Sequence, residues 1–157
     1  MGTYVLALRL DEAQAVAVGR LGEFEFPAGH YLYTGSAFGP GGLRARLARH
    51  RRRLGHRKRP HWHVDYLRDL AAWNGAWVRA TSQRLECEWA EKLRSVGGAR
   101  IVAAGFGASD CRCPAHLVYV PVLPDDDWLA TTLGAERFFV EDEVLEDLLR
   151  TLTSADD

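Results

Sequence analysis

A chain of 157 residues, 47% of them hydrophobic and 26% charged, suffices for one domain with its own apolar core and excludes a long disordered tract. The N-terminus enters an alternating pattern with no basic leader and no long apolar run, so a cytoplasmic protein without a membrane partner is expected. The formal charge of −1 hides a segregation: no Asp or Glu falls between Pro27 and Val64, where nine Lys and Arg stand, leaving eleven bases against twenty-one acids elsewhere.

Residues 3–10 alternate, Tyr4, Leu6, Leu8 and Leu10 against Val5, Ala7 and Arg9, which predicts a half-buried strand. Short strands at 15–18, 23–26 and 30–35 complete an expected antiparallel meander. After Gly39-Pro40-Gly41-Gly42 the period becomes helical, with Leu43, Leu47 and Leu54 in one stripe. Arg46, Arg49, His50 and Arg53 form a second face beside it, with Arg46 and His50 nearest the apolar edge.

A short helix over 62–70, a weak strand over 76–80 and a helix over 83–96 ending at Gly97-Gly98 follow. Strands at 101–104 and 117–122 bracket an irregular loop. From Pro124 the chain is acidic, yet Val144, Leu145, Leu148, Leu149 and Leu152 keep helical spacing and predict a docked helix. The expected organisation is a domain over 1–123 and an acidic extension over 124–157, in an α+β fold with a small antiparallel sheet flanked by helices.

Three cysteines in a chain of this kind, Cys87, Cys111 and Cys113, argue for reduced thiols over a disulfide framework. Cys111-Arg112-Cys113-Pro114-Ala115-His116 supplies three zinc ligands in an unusual spacing, with Cys87 or a further His required as the fourth. Thiols buried in a tight loop are the favoured reading of the same residues.

Gly2-Thr3-Tyr4 on one strand and Tyr33-Thr34-Gly35 on a later one resemble the paired tripeptides of the GIY-YIG nucleases, with Thr in both places where the family usually has Ile. Leu43-Arg44-Ala45-Arg46-Leu47-Ala48-Arg49-His50 is similar to the family's first helix, in which an Arg is followed four residues later by His or Tyr. That pattern selects Arg46 and His50, with Arg44 and Arg49 as substitutes because the preceding turn is long. Leu85-Glu86-Cys87-Glu88-Trp89-Ala90 resembles the helix whose Glu binds the metal. The helical projection agrees, because Glu86 borders the stripe of Leu85, Trp89, Leu93 and Val96, whereas Glu88 and Glu91 lie farther out.

The segment from His61 to Tyr66 and the loop from Gly105 to Leu117 resemble one branch of that family, found as small proteins and fused to archaeal repair enzymes of the endonuclease III type. From this branch His63 is carried over as a site-lining residue, with His61 as its substitute. The residues alone equally allow one His to pack the helix while Asp65 is solvated. The resemblance implies an endonuclease hydrolysing phosphodiester bonds in DNA with Mg²⁺ or Mn²⁺. It implies further that Glu86 holds the metal, that Tyr4 or Tyr33 helps to activate water, and that Arg46 meets the phosphate charge. A tyrosine of ordinary pKa, about 10, needs Arg46, the metal or a neighbouring His for that task.

Arg44, Arg49, Arg53, Arg57, Lys58 and Arg59 are the expected contacts to the nucleic-acid backbone, with the acidic extension lying nearby in competition. RNA is a possible partner in place of DNA, and a binding module without catalysis or an RNA-processing accessory factor are the competing readings.

Overall fold

The computed structural model describes residues 1–53 and 59–139. In chain order its elements are strands β1 (Gly2–Leu10), β2 (Gln14–Val18), β3 (Gly22–Phe26) and β4 (Gly29–Ala37), followed by helices α1 (Gly42–Arg51) and α2 (His63–Arg68). Strand β5 (Ala72–Ala80), helix α3 (Glu86–Arg94), strand β6 (Leu117–Val120), helix α4 (Asp126–Leu133) and strand β7 (Glu136–Phe138) complete them. The fold is α+β: a five-stranded antiparallel sheet of order β6-β4-β1-β5-β7 and a separate hairpin of β2 and β3.

The alternation of β1 sends its residues into two different cores. Tyr4, Leu6, Leu8 and Leu10 pack with Leu47 of α1, Val64 and Leu67 of α2, and Phe26 of the hairpin. Val5 and Ala7 pack with Trp89 and Leu93 of α3 and Leu129 and Leu133 of α4. The expectation of a half-buried strand is therefore wrong for β1, in which only Arg9 is exposed. An antiparallel sheet leaves one face to water only when helices cover one side, and here they cover both.

Other expectations also change. The opening strands are not a meander, because β4 pairs directly with β1 while β2 and β3 fold away as their own hairpin and pack against α2. No strand forms over 101–104, where Arg100 alone bridges to Tyr119. The acidic segment contributes α4, capped by Asp125 accepting from Trp128 N at 2.7 Å, and β7, neither of which its composition announced. Trp77 Nε1 donates to Asp126 at 2.7 Å, and Arg137 lies over the Trp77 ring, so this segment docks on the α3 layer. Helix α4 thus lies across the sheet from α1, away from the basic helix that the acidic segment was expected to approach, while Phe138 of β7 packs against the core on the α1 side. Leu54 and the helix expected around Val144 to Leu152 fall outside the described residues.

The basic helix α1 is stopped by a buried cation. Arg68, only 4% exposed, donates to the carbonyls of His50 at 3.1 Å, Arg51 at 2.8 Å and Ala71 at 2.6 Å, satisfying acceptors a helix end leaves open. Burial, with Arg53 and Arg51 nearby, pulls Arg68 down to about 10, so it stays charged at neutral pH.

Candidate functional site

Strand β4 outruns one of its neighbours. Paired with β1 as far as Ala37, it pairs with β6 only from His30 to Tyr33, so its last residues form an edge where the two faces of the sheet meet. A cleft of about 380 Å³ opens there, lined among others by Tyr4, Tyr33, Arg46, His63, Glu86 and Asp110. Every residue the resemblance selected for catalysis or metal binding lines it except His50, which lies just behind.

The Tyr4 hydroxyl meets His50 Nε2 at 2.8 Å, and the other ring nitrogen, Nδ1, stands 3.9 Å from Asp65 Oδ1. His50 and Asp65 have no exposed surface, which rules out the reading of Asp65 as solvated and takes His50 from the apolar edge of the basic face into the core. Asp65 is held in place because Oδ2 accepts from the backbone N–H groups of His61 at 2.8 Å and Trp62 at 3.1 Å, at the start of α2. The acid, the imidazole and the phenol form a buried line that ends at the cleft.

Burial pushes Tyr4 well above its ordinary pKa, and Tyr33 adds to this, while the charge and hydrogen bond of Arg46 pull it back only in part. Burial likewise raises Tyr33. Both phenols are protonated at neutral pH, so Tyr4 takes a proton only by passing its own to His50. Tyr33 sits edge-on to His50 and Phe106 and has no such acceptor partner described. This separates two tyrosines that the sequence left equivalent.

Glu86 opens α3, and threonines from the two tripeptides set its position. Thr3 Oγ1 accepts from Leu85 N at 3.3 Å, and Thr34 Oγ1 donates to the carbonyl of Glu86 at 3.4 Å. Both threonines are fully buried, and an Ile in either place could make neither bond. The Glu86 carboxylate accepts from Ser36 Oγ at 2.5 Å and pairs with Arg84 at 3.6 Å, both through Oε1. Arg46 donates to the Ser36 carbonyl at 3.1 Å and lies 4.3 Å above the Trp62 ring, a stacked and hydrogen-bonded position that fixes its planar fork at the cleft.

The glycines of the two tripeptides have a steric reason. Tyr4 and Gly35 are register partners, and a Cβ on Gly35 would collide with the Tyr4 hydroxyl. A Cβ on Gly2 would run into the Arg79 carbonyl of β5. The phenol reaches His50 because its strand neighbour has no side chain.

His63 accepts from Gly107 N at 2.9 Å through Nδ1, which fixes the Nε2–H tautomer of a neutral ring and pins the loop 105–116 over the cleft. Burial lowers its pKa, which keeps that acceptor available. His61 is exposed and also lines the cleft, so the structure brings both histidines to it. Ser36, Arg84, Asp110 and Trp62 went unnoticed in the sequence as site residues. Ser36 adjoins Gly35, Arg84 stands two residues before Glu86, Trp62 lies between His61 and His63, and Asp110 belongs to the loop 105–117, so each sat beside a residue already singled out.

Of the expected backbone contacts, Arg44, Arg53 and Arg59 are exposed. Arg49 is turned inward, donating to the Arg59 carbonyl at 3.1 Å and Asp65 at 3.5 Å and stacking on Trp62, so it braces the buried line as much as it faces solvent. Arg57 and Lys58 lie outside the described residues. The expectation of buried thiols is wrong: Cys87 is exposed and Cys111 and Cys113 are half-buried, all three free and gathered with His116.

The fold and site define an α+β domain with a charged cleft over the free edge of its sheet, supplied with carboxylate, guanidinium, imidazole and phenol. The chain belongs to the family described as Domain of unknown function DUF123, whose model matches residues 3–133. That match takes in every cleft residue named above and helix α4. No curated protein and no solved structure matches the chain.

Proposed function

We propose that the chain is a metal-dependent endonuclease of the GIY-YIG type that hydrolyses phosphodiester bonds, with DNA as its first substrate class and DNA repair or processing as its setting. The observation that carries this reading is the convergence of Tyr4, Tyr33, Arg46, His63 and Glu86, from five separate elements, on one cleft.

The residues fit a hard divalent cation. Glu86 and Asp110 line the same cleft with Ser36 and Ser109, a set of oxygen donors of the kind Mg²⁺ or Mn²⁺ takes while keeping several waters. Glu86 would hold the ion, its carboxylate oriented by Ser36. When bound, the ion would polarise the phosphate and lower the pKa of water at the cleft.

The protein's own groups supply the remainder. Water attacking phosphorus loses a proton to the Tyr4 oxygen as the Tyr4 proton moves to His50 Nε2, and Asp65 stabilises the resulting imidazolium. This relay needs no free tyrosinate, which the raised pKa of Tyr4 forbids at neutral pH. Arg46 places two donors where charge builds on the phosphate oxygens, and Trp62 holds them there. Arg44, Arg53 and Arg59 extend the cationic surface for a nucleic-acid backbone.

Among the described residues no helix is long and apolar enough to cross a membrane. The reduced thiols and the nucleic-acid substrate make the cytoplasm the proposed location.

The test is a cleavage screen over duplex, flap, abasic and single-stranded DNA, with RNA in parallel, in Mg²⁺ and in Mn²⁺, using Glu86→Ala as the blank. Cation-dependent cutting lost in Glu86→Ala and Arg46→Ala supports the proposal. Salt-sensitive binding with no cutting of any substrate replaces it with a binding module, and selective cutting or binding of RNA replaces DNA as the partner.

A further inference from the structure

Cys87 stands in the first turn of α3, while Cys111, Cys113 and His116 belong to the loop that follows it, yet their four ligand atoms lie within 4.8 Å of one another. No motif brings Cys87 to this group; the packing of the loop on α3 does. His116 Nε2 lies 3.4 Å from Cys111 Sγ and 3.7 Å from Cys87 Sγ. Zinc with bonds of about 2.3 Å to sulfur and about 2.0 Å to nitrogen sets tetrahedral N···S edges of about 3.5 Å, the spacing already present.

We propose that Cys87, Cys111, Cys113 and His116 bind one structural Zn²⁺ ion in a closed tetrahedral site that clamps the loop 105–116 to helix α3. Three sulfurs and one imidazole nitrogen are soft and borderline ligands that select zinc over the hard cations suited to the cleft. Four protein ligands leave no open position, so the ion is structural and carries no chemistry of its own. Binding releases the three thiol protons and gives a site of net charge −1.

The surroundings are already shaped for an ion. His116 is 5% exposed and its backbone N–H donates to the Phe106 carbonyl at 2.7 Å. Its ring turns Nε2 toward the sulfurs of Cys111 and Cys87, the atom that would ligate. Gly105 N donates to the Pro114 carbonyl at 2.7 Å, closing the loop base and turning both loop cysteines toward α3. Cys87 is exposed, so the site is open to loading from solvent.

The site joins the two walls of the cleft. Cys87 follows Glu86 directly, and Cys111 follows Ser109 and Asp110, which line the same cleft from the loop. Zinc would fix the distance between these walls without touching a substrate. The zinc site stands whether or not the cleft cuts nucleic acid.

The experiment measures metal in protein purified under reducing conditions, followed by removal of the metal and titration with Co²⁺. The expected result is about one zinc per chain, and a cobalt form with thiolate charge-transfer bands and the intense visible bands of tetrahedral coordination. Cys113→Ser should lose the charge-transfer intensity and most of the zinc, while Glu86→Gln keeps both, which separates this site from the cleft. If Cys113→Ser does not fold, protection of all three thiols from alkylation by Zn²⁺ in the wild-type chain, read by mass spectrometry, takes its place. Weak octahedral cobalt bands, no zinc after reconstitution, unprotected thiols, or a disulfide among the three cysteines in freshly isolated protein would each overturn the proposal.

Discussion

The hydroxyl of Tyr4 lies 2.8 Å from Nε2 of His50, a histidine with no exposed surface whose far nitrogen faces Asp65. This contact makes Tyr4, and not Tyr33, the tyrosine with a route for its proton. Tyr4→Phe should therefore lower the rate of cleavage by about 10²–10⁴, the range that general acid–base catalysis supplies, while Tyr33→Phe costs much less. Single-turnover rates of the two variants decide this; equal losses would remove the relay.

The same contact is structural. Removing the hydroxyl takes away the buried hydrogen bond at His50 Nε2, so Tyr4→Phe should destabilise the fold by about 1–3 kcal/mol. Urea unfolding of the wild type and the variant measures it. A change near zero would mean that His50 finds another partner at once.

Ser36 lines the cleft beside Glu86 and donates to its carboxylate. Ser36→Ala leaves the carboxylate in the cleft but takes away the bond at Oε1, and the apparent affinity for Mg²⁺ or Mn²⁺ should fall by about 10- to 100-fold. Excess cation should restore much of the rate in Ser36→Ala and none of it in Glu86→Ala. The cation dependence of the cleavage rate distinguishes the two.

Salt dependence reports the backbone contacts. Replacing Arg44 or Arg53, both exposed, by Ala should each reduce the slope of log K against log salt for duplex DNA by about 1. Arg49→Ala should in addition lower stability, because Arg49 braces Asp65 and the Arg59 carbonyl. Binding isotherms at several salt concentrations, beside thermal unfolding, separate the two kinds of arginine.

His63 sets a pH dependence. Its folded pKa is lowered by burial, so below the ordinary value of about 6.5 the unfolded chain binds the proton first and the folded state loses stability as pH falls. Its contribution is complete above that pH and declines through the window beneath it, as the acceptor for Gly107 N is protonated. His63→Asn should flatten the slope of unfolding free energy against pH in the window just below the ordinary value of about 6.5. An unchanged slope would assign the dependence to other groups.

Local order was written in short-range pattern. The alternation of β1, the turn glycines before α1 and the stripe of Leu85, Trp89 and Leu93 all follow from periods of two and 3.6 residues, which a single segment displays. The resemblance selected Glu86 and the same periodicity agreed, because its place beside that stripe is a property of one helix. The paired tripeptides named Tyr4 and Tyr33 but assigned them no separate roles. Only tertiary packing decided those roles, since His50 and Asp65 reach Tyr4 from helices 46 and 61 positions away along the chain.

The burial of both faces of β1, the folding away of the hairpin and the meeting of Cys87 with the loop thiols are equally beyond local pattern. Each depends on which apolar surface covers which, a choice made by the whole core. The sequence by itself determined the elements, the basic helix and the chemistry available to the chain. The tertiary structure alone decided which groups share a cleft and which lie behind it, because contact between distant residues is set by packing and not by spacing.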